Sequence, residues 1–189
     1  MSWLEKKEEL LAQAHAIDPS IVLVSTKDSI LCKIIAWTRF ILSLGFLKRE
    51  DFYARTAWTL AHRVYLPEEW TEGQASRVVP HEAFHTKRCR KLALGRHPIF
   101  GLLQFLFIYF FVPIPMGLAW FRFQWEVEAE IGGWVAQDYK ILGNAIILEL
   151  IDQSLDNFCG IKYFFSWPRD WGKEYMIRKA TEAGLLHAE

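Results

Sequence analysis

The chain has 189 residues, just over half of them apolar or aromatic, including nine tryptophans; 22 lysines and arginines balance 22 aspartates and glutamates. That length suits a single domain (residues 1–189) with a sizeable core, and zero net charge gives no reason to expect a nucleic-acid partner. Three widely spaced cysteines, Cys32, Cys89 and Cys159, form no CxxC pair and cannot all pair with one another, which points to a reducing compartment. The charged start, Met1 to Glu9, stands where a signal peptide needs an apolar stretch, so a cytoplasmic location is expected.

Taken in chain order, Trp3 to Ala16 reads as a helix with a rough apolar stripe at Leu4, Leu10, Leu11 and Ala14. Asp18-Pro19-Ser20 breaks it, and Ile21 to Val24 is β-branched enough for a strand. A helix capped by Asp28 or Ser29 is expected to run to about Leu44 and stop at Gly45. Lys33 and Arg39 would give it one wet edge. Thr56 to Leu66 is rich in strand formers and ends at Pro67, so it reads as one strand at a sheet edge. After a polar connection, Ser76 to about Leu94 reads as a helix closed by Gly95.

Pro98 to Phe121 carries no charge, but Pro113, Pro115 and Gly117 interrupt it. It reads as a buried core segment, with a membrane-embedded or membrane-lying segment as the alternative. Trp120 to about Asn144 is expected as a long helix continuing to Asn157 with a break near Gly143. Phe158 to Asp170 reads as irregular and aromatic, and Glu174 to Leu186 as a terminal helix. The domain thus falls into an N-terminal helical segment (1–55), a middle part (56–145) and a C-terminal cover (146–189).

The chemistry is concentrated in His81-Glu82-Ala83-Phe84-His85, an HExxH pattern. Histidines four apart share one helix face, so both imidazoles reach one metal ion. The glutamate after the first is placed to act as general base on a metal-activated water. A catalytic zinc needs a third protein ligand and an open position. Downstream lies Trp125-Glu126-Val127-Glu128-Ala129-Glu130. Glu126 and Glu130 share a helix face and Glu128 points elsewhere; spacing alone leaves Glu126 and Glu128 both open as the third ligand.

Glu126-Val127-Glu128-Ala129-Glu130 resembles the E-x-x-A-[D/E] signature of gluzincin-type zinc metallopeptidases, which include CAAX-processing and heat-shock membrane endopeptidases and small minigluzincins. The resemblance implies an α+β, zincin-like fold, mostly helical with a small sheet, in which the HExxH helix packs against a second Glu-bearing helix. It implies Zn2+ held by His81, His85 and Glu126, with Glu130 orienting a ligand histidine, and it leaves Glu128 as the alternative ligand. The order of elements over residues 56 to 140 is also similar to short HExxH proteins of tailed bacteriophages and bacteria. In zincins the strand before the motif helix pairs with the extended substrate, a role that falls here to Thr56–Leu66.

The expected activity is zinc-dependent hydrolysis of peptide bonds in a peptide or protein substrate, with Glu82 as general base. Tyr163 is the candidate oxyanion donor, with Tyr139 and His97 beside it. Two other functions stand as alternatives. One is a structural or virion-assembly protein that keeps the fold and binds virion proteins; the other is a membrane-associated zinc endopeptidase. Two features depart from the family pattern: Pro80 directly precedes His81, and Lys87 stands where relatives carry an apolar residue. With Ser76 as N-cap, Pro80 would fall at the end of the first turn. Cys89, four residues after His85, reads as a buried thiol rather than a ligand. The run Lys87-Arg88-Cys89-Arg90-Lys91 reads as a solvated helix face, with a membrane surface as the alternative.

Overall fold

The structure is a computed structural model that describes residues 2–42, 48–55, 57–93, 118–159 and 168–187. It is an α+β fold, mostly helical with one small sheet. The chain divides into two compact units, Met1–Arg88 and Cys89–Glu189, and the boundary falls inside a continuous helix. Gly45, Gly95, His97, Tyr163 and all but the last four residues of the apolar stretch 98–121 lie outside the described residues. No helix among the described residues is long and apolar enough to cross a membrane.

The first unit opens with a 3-10 turn, Trp3–Lys6, that runs into α1 (Lys7–Ile17). Ser2 caps the turn by accepting from the Leu4 amide. Strand β1 (Val22–Ser25) follows, one residue later than expected, then α2 (Ile30–Leu42) and a short helix that the sequence does not announce, α3 (Arg49–Arg55). The Ser29 hydroxyl accepts from the Cys32 amide and so sets the start of α2.

The expected single strand over Thr56–Leu66 is instead a hairpin. β2 (Trp58–Leu60) turns through Ala61 and His62 into β3 (Arg63–Leu66), with Ala61 in the left-handed region at φ 56°. β3 lies in the middle of the sheet, parallel to β1 and antiparallel to β2, giving the order β1-β3-β2. Only β2 therefore keeps the edge position assigned to the whole segment. Trp58 and Tyr65, opposite one another in the register, stack with ring centroids 4.4 Å apart.

Helix α4 (Glu72–Leu92) carries the HExxH residues. Its start is fixed by a reciprocal cap, not by Ser76. Thr71 Oγ1 accepts from the Gln74 amide while Gln74 Oε1 accepts from the Thr71 amide. Pro80 consequently lies well inside the helix and not in its first turn. The inner face of α4 is small: Ala75, Val79 and Ala83 pack against Leu23, Val64 and Leu66 of the sheet and against Trp3 and Leu10.

The second unit contains α5 (Leu118–Ala136), a 3-10 turn (Tyr139–Ile141), α6 (Asn144–Phe158) and α7 (Arg169–Glu182). The long helix expected to reach Asn144 ends at Ala136, because Asp138 adopts φ 56° and reverses the chain. Large side chains form the core: Phe123, Val127, Ile131 and Trp134 of α5 with Ile151 and Leu155 of α6 and Met176 of α7. Gly172 lets α7 approach closely, since a Cβ there would stand 3.0 Å from Leu155 Cδ2 and 3.1 Å from Phe123 Cζ. α7 starts and stops earlier than expected. Its end is a Schellman motif: Gly184 at φ 71°, the Leu185 amide bonded to Ala180 O and the Gly184 amide to Thr181 O.

Candidate metal centre

His81 and His85 sit one turn apart on α4, and their Nε2 atoms are 3.1 Å apart. The rings meet edge to face with centroids 4.8 Å apart. Two nitrogens bound to one tetrahedral zinc at about 2.0–2.1 Å stand about 3.3 Å from each other, so the pair has the spacing of two ligands on one ion. The same distance also suits one imidazole donating to the other. A third group bears on the choice. His81, His85 and Glu126 each offer one ligand atom, and these atoms all lie within 4.8 Å of one another. His85 and Glu126 are buried and His81 is half-buried. This cluster has the donors to bind a metal ion. Glu126, 2% exposed, is the most buried of the three.

The helical period separates the three glutamates of α5. Glu126 is buried, Glu130 is half-buried and accepts from Ser154 Oγ on α6 at 3.0 Å, and Glu128 is exposed. Glu126 and Glu128 are about 200° apart around the axis, so one cannot replace the other without turning the helix. Glu128, the alternative ligand, is outside the group that surrounds the two imidazoles.

Glu82 is buried on α4 beside the first histidine. Its Oε2 accepts from Thr59 Oγ1 on β2 at 2.6 Å, a length typical of a hydroxyl bonded to a carboxylate. No spacing rule in the chain announces Thr59. It reaches Glu82 from the edge strand of the sheet against which Ala75, Val79 and Ala83 of α4 are buried. Thr86, one turn beyond Glu82, is fully buried.

Lys87 is exposed and holds its ammonium 5.5 Å from the centre of the Phe84 ring, on the outer side of the helix. Cys89 is buried, and that burial pushes its thiol above the usual range. Tyr139 stacks on Trp134 with centroids 6.5 Å apart. His15 Nε2 bonds the Ile21 carbonyl, His62 is exposed in the hairpin turn, and the His187 backbone pairs with the Asn144 side chain.

Comparison of the chain with protein-family models, with curated proteins and with solved structures finds no match. The chemistry of the site therefore rests on its own residues.

Proposed function

We propose that the chain is a zinc-dependent metallopeptidase, with His81, His85 and Glu126 as ligands and Glu82 as general base. The observation that carries this reading is the group of two imidazoles and one buried carboxylate, next to a second buried carboxylate held in place by Thr59. Two nitrogens and one carboxylate oxygen form the donor set of open catalytic zinc sites. When bound, zinc polarises a carbonyl and brings the pKa of water in its open position toward about 7.

The protein's own groups do the rest. Glu82 takes a proton as water adds to the scissile carbonyl and delivers it to the departing amine. Thr59 occupies Oε2 and so leaves Oε1 as the oxygen that exchanges the proton. Glu130 is assigned the task of orienting a ligand imidazole. Among the described residues no strand pairs with the outer edge of β2. An extended peptide added there would run past Thr59, and hence past the general base. The free Cys32, Cys89 and Cys159 suit a reducing compartment.

The test pairs metal content, read by elemental mass spectrometry, with cleavage of an unstructured protein substrate. Wild type is expected to hold one zinc per chain, and Glu126→Ala to lose it. Glu82→Gln is expected to keep zinc and lose about 10²–10⁴-fold in rate. Cleavage by Glu82→Gln at the wild-type rate sinks the mechanism. Zinc bound by a wild type that cleaves nothing favours the alternative, a structural protein that keeps the metal for folding.

A further inference from the structure

Helix α2 is built the wrong way round for a surface helix. A helix on a globular protein hides its large aliphatics and shows its polar residues. Here Cys32 and Ala36 face inward onto Tyr65, while Ile30, Lys33, Ile34, Trp37, Thr38 and Ile41 face solvent. Exposure of the large ones is high: 75% for Ile30, 58% for Ile34, 48% for Trp37 and 63% for Ile41. Their spacing of four, three and four places them in one continuous stripe. A scattered exposed isoleucine needs no explanation, whereas a contiguous stripe marks a docking surface.

The charges around the stripe indicate what covers it. α2 contains no acidic residue and its charges are Lys33 and Arg39; Asp28 precedes it, and Lys48 and Arg49 follow its end with Glu50 and Asp51 after them. The Arg49 guanidinium lies 4.1 Å from the centre of the Trp37 ring and so puts a cation at the rim of the apolar face. Lys33 is exposed and borders the stripe, where its stem can run along the isoleucines with the ammonium raised to the level of lipid phosphates. Tryptophan is the side chain favoured at that boundary. A second copy packed face to face would set like charges against one another. At 13 residues the helix is about 20 Å long, short of the roughly 30 Å of a bilayer core, so it can lie in a membrane surface but cannot span it.

We propose that α2 is an interfacial helix that docks this chain on an anionic lipid surface, with Ile30, Ile34, Trp37 and Ile41 entering the acyl boundary and Lys33 and Arg49 meeting the phosphates. The surface lies on the first unit and is independent of the metal.

The test is co-sedimentation of the full-length protein with phosphatidylglycerol-containing vesicles and with pure phosphatidylcholine vesicles. Binding to the anionic vesicles that weakens with added salt is expected. Lys33→Gln should weaken it about fivefold, and the double variant Ile34→Gln, Trp37→Gln at least about tenfold. All these positions are exposed, and circular dichroism confirms that the variants are folded before they are compared. Three outcomes each overturn the proposal: no vesicle binding by wild type, equal binding to both vesicle types, or undiminished binding by the double variant, which places the affinity elsewhere in the chain. A wild type that dimerises while the double variant stays monomeric, with neither binding vesicles, overturns it in favour of a second copy.

Discussion

Helices α4 and α5 both carry residues of the candidate site, yet they pack by opposite means. α4 presents Ala75, Val79 and Ala83 inward, whereas α5 presents Phe123, Val127, Ile131 and Trp134. Small residues bring a helix backbone close to its neighbour, and for α4 that neighbour is the sheet. On that side of α4 a threonine of β2 bonds Glu82. Large residues hold a helix through the area that they bury, and for α5 the buried area fixes the rotation that puts Glu126 inside and Glu128 outside. One helix is positioned by proximity and the other by volume. Substitutions should therefore harm them in different ways.

The largest effect is expected from Leu155→Ala in the core that holds α5. It should lower stability by about 2–5 kcal/mol, because Leu155 is fully buried and surrounded by large side chains that collapse poorly. Denaturant unfolding measures it, and a loss below about 1 kcal/mol would mean that volume does not hold this unit. For α4 the informative change adds atoms. Ala83→Leu should cost about 1–3 kcal/mol by overpacking and should also slow cleavage, since it pushes Glu82 away from Thr59. If Ala83→Leu keeps full activity, the packing of Ala83 is not what positions the proposed general base.

Thr59→Val keeps the shape and removes the hydroxyl that bonds Glu82. It should cost about 1–3 kcal/mol and reduce kcat with KM and zinc content unchanged, while Thr59→Ser restores the rate. Equal kcat for Val and Ser would show that the hydroxyl plays no part.

The smallest effect belongs to the surface of the second unit, where Lys173 donates to Asp152 and, with Arg169 nearby, holds its carboxyl below the usual carboxylate range. A carboxyl lowered in the folded state adds stability above its unfolded pKa of about 3.9, and this is lost as pH falls through the folded value. Asp152→Asn should thus melt slightly earlier than wild type at pH 7, with a gap that closes on acidification below about pH 4. A gap that widens in acid would mean that the carboxyl is raised, not lowered, by its neighbours.

Much of this architecture is legible in the residues themselves. Two of them, His81 and His85, point to the cluster that could hold a metal ion, and the helical period separates Glu126 from Glu128. The strand at Val22–Ser25 and the helices on either side also follow from their patterns. What escapes has identifiable causes. The hairpin between β2 and β3 turns at Ala61 and His62, which lack the glycine or asparagine that normally marks such a turn. Ser76 has the chemistry of a cap, but Thr71 and Gln74 form the reciprocal pair, and the Ser76 hydroxyl instead bonds the Gly73 carbonyl. α5 stops at a left-handed aspartate rather than at a glycine or proline. Thr59 is beyond any reading of spacing, because it meets Glu82, 23 positions later, only after the sheet and α4 have come together.

The 3-10 turn at the head of the chain has a practical consequence. Trp3 is fully buried, its indole donates to the Pro67 carbonyl at 2.7 Å, and its amide bonds the Trp70 carbonyl. Ser2 forms a β-bridge with Thr71, the residue that caps α4. Ser2 and Trp3 thus act as a wedge under the loop from which the motif helix departs. Trp3→Ala would remove that wedge and is expected to loosen the beginning of α4, which faster hydrogen exchange at the amides of Thr71 to Ala75 would report.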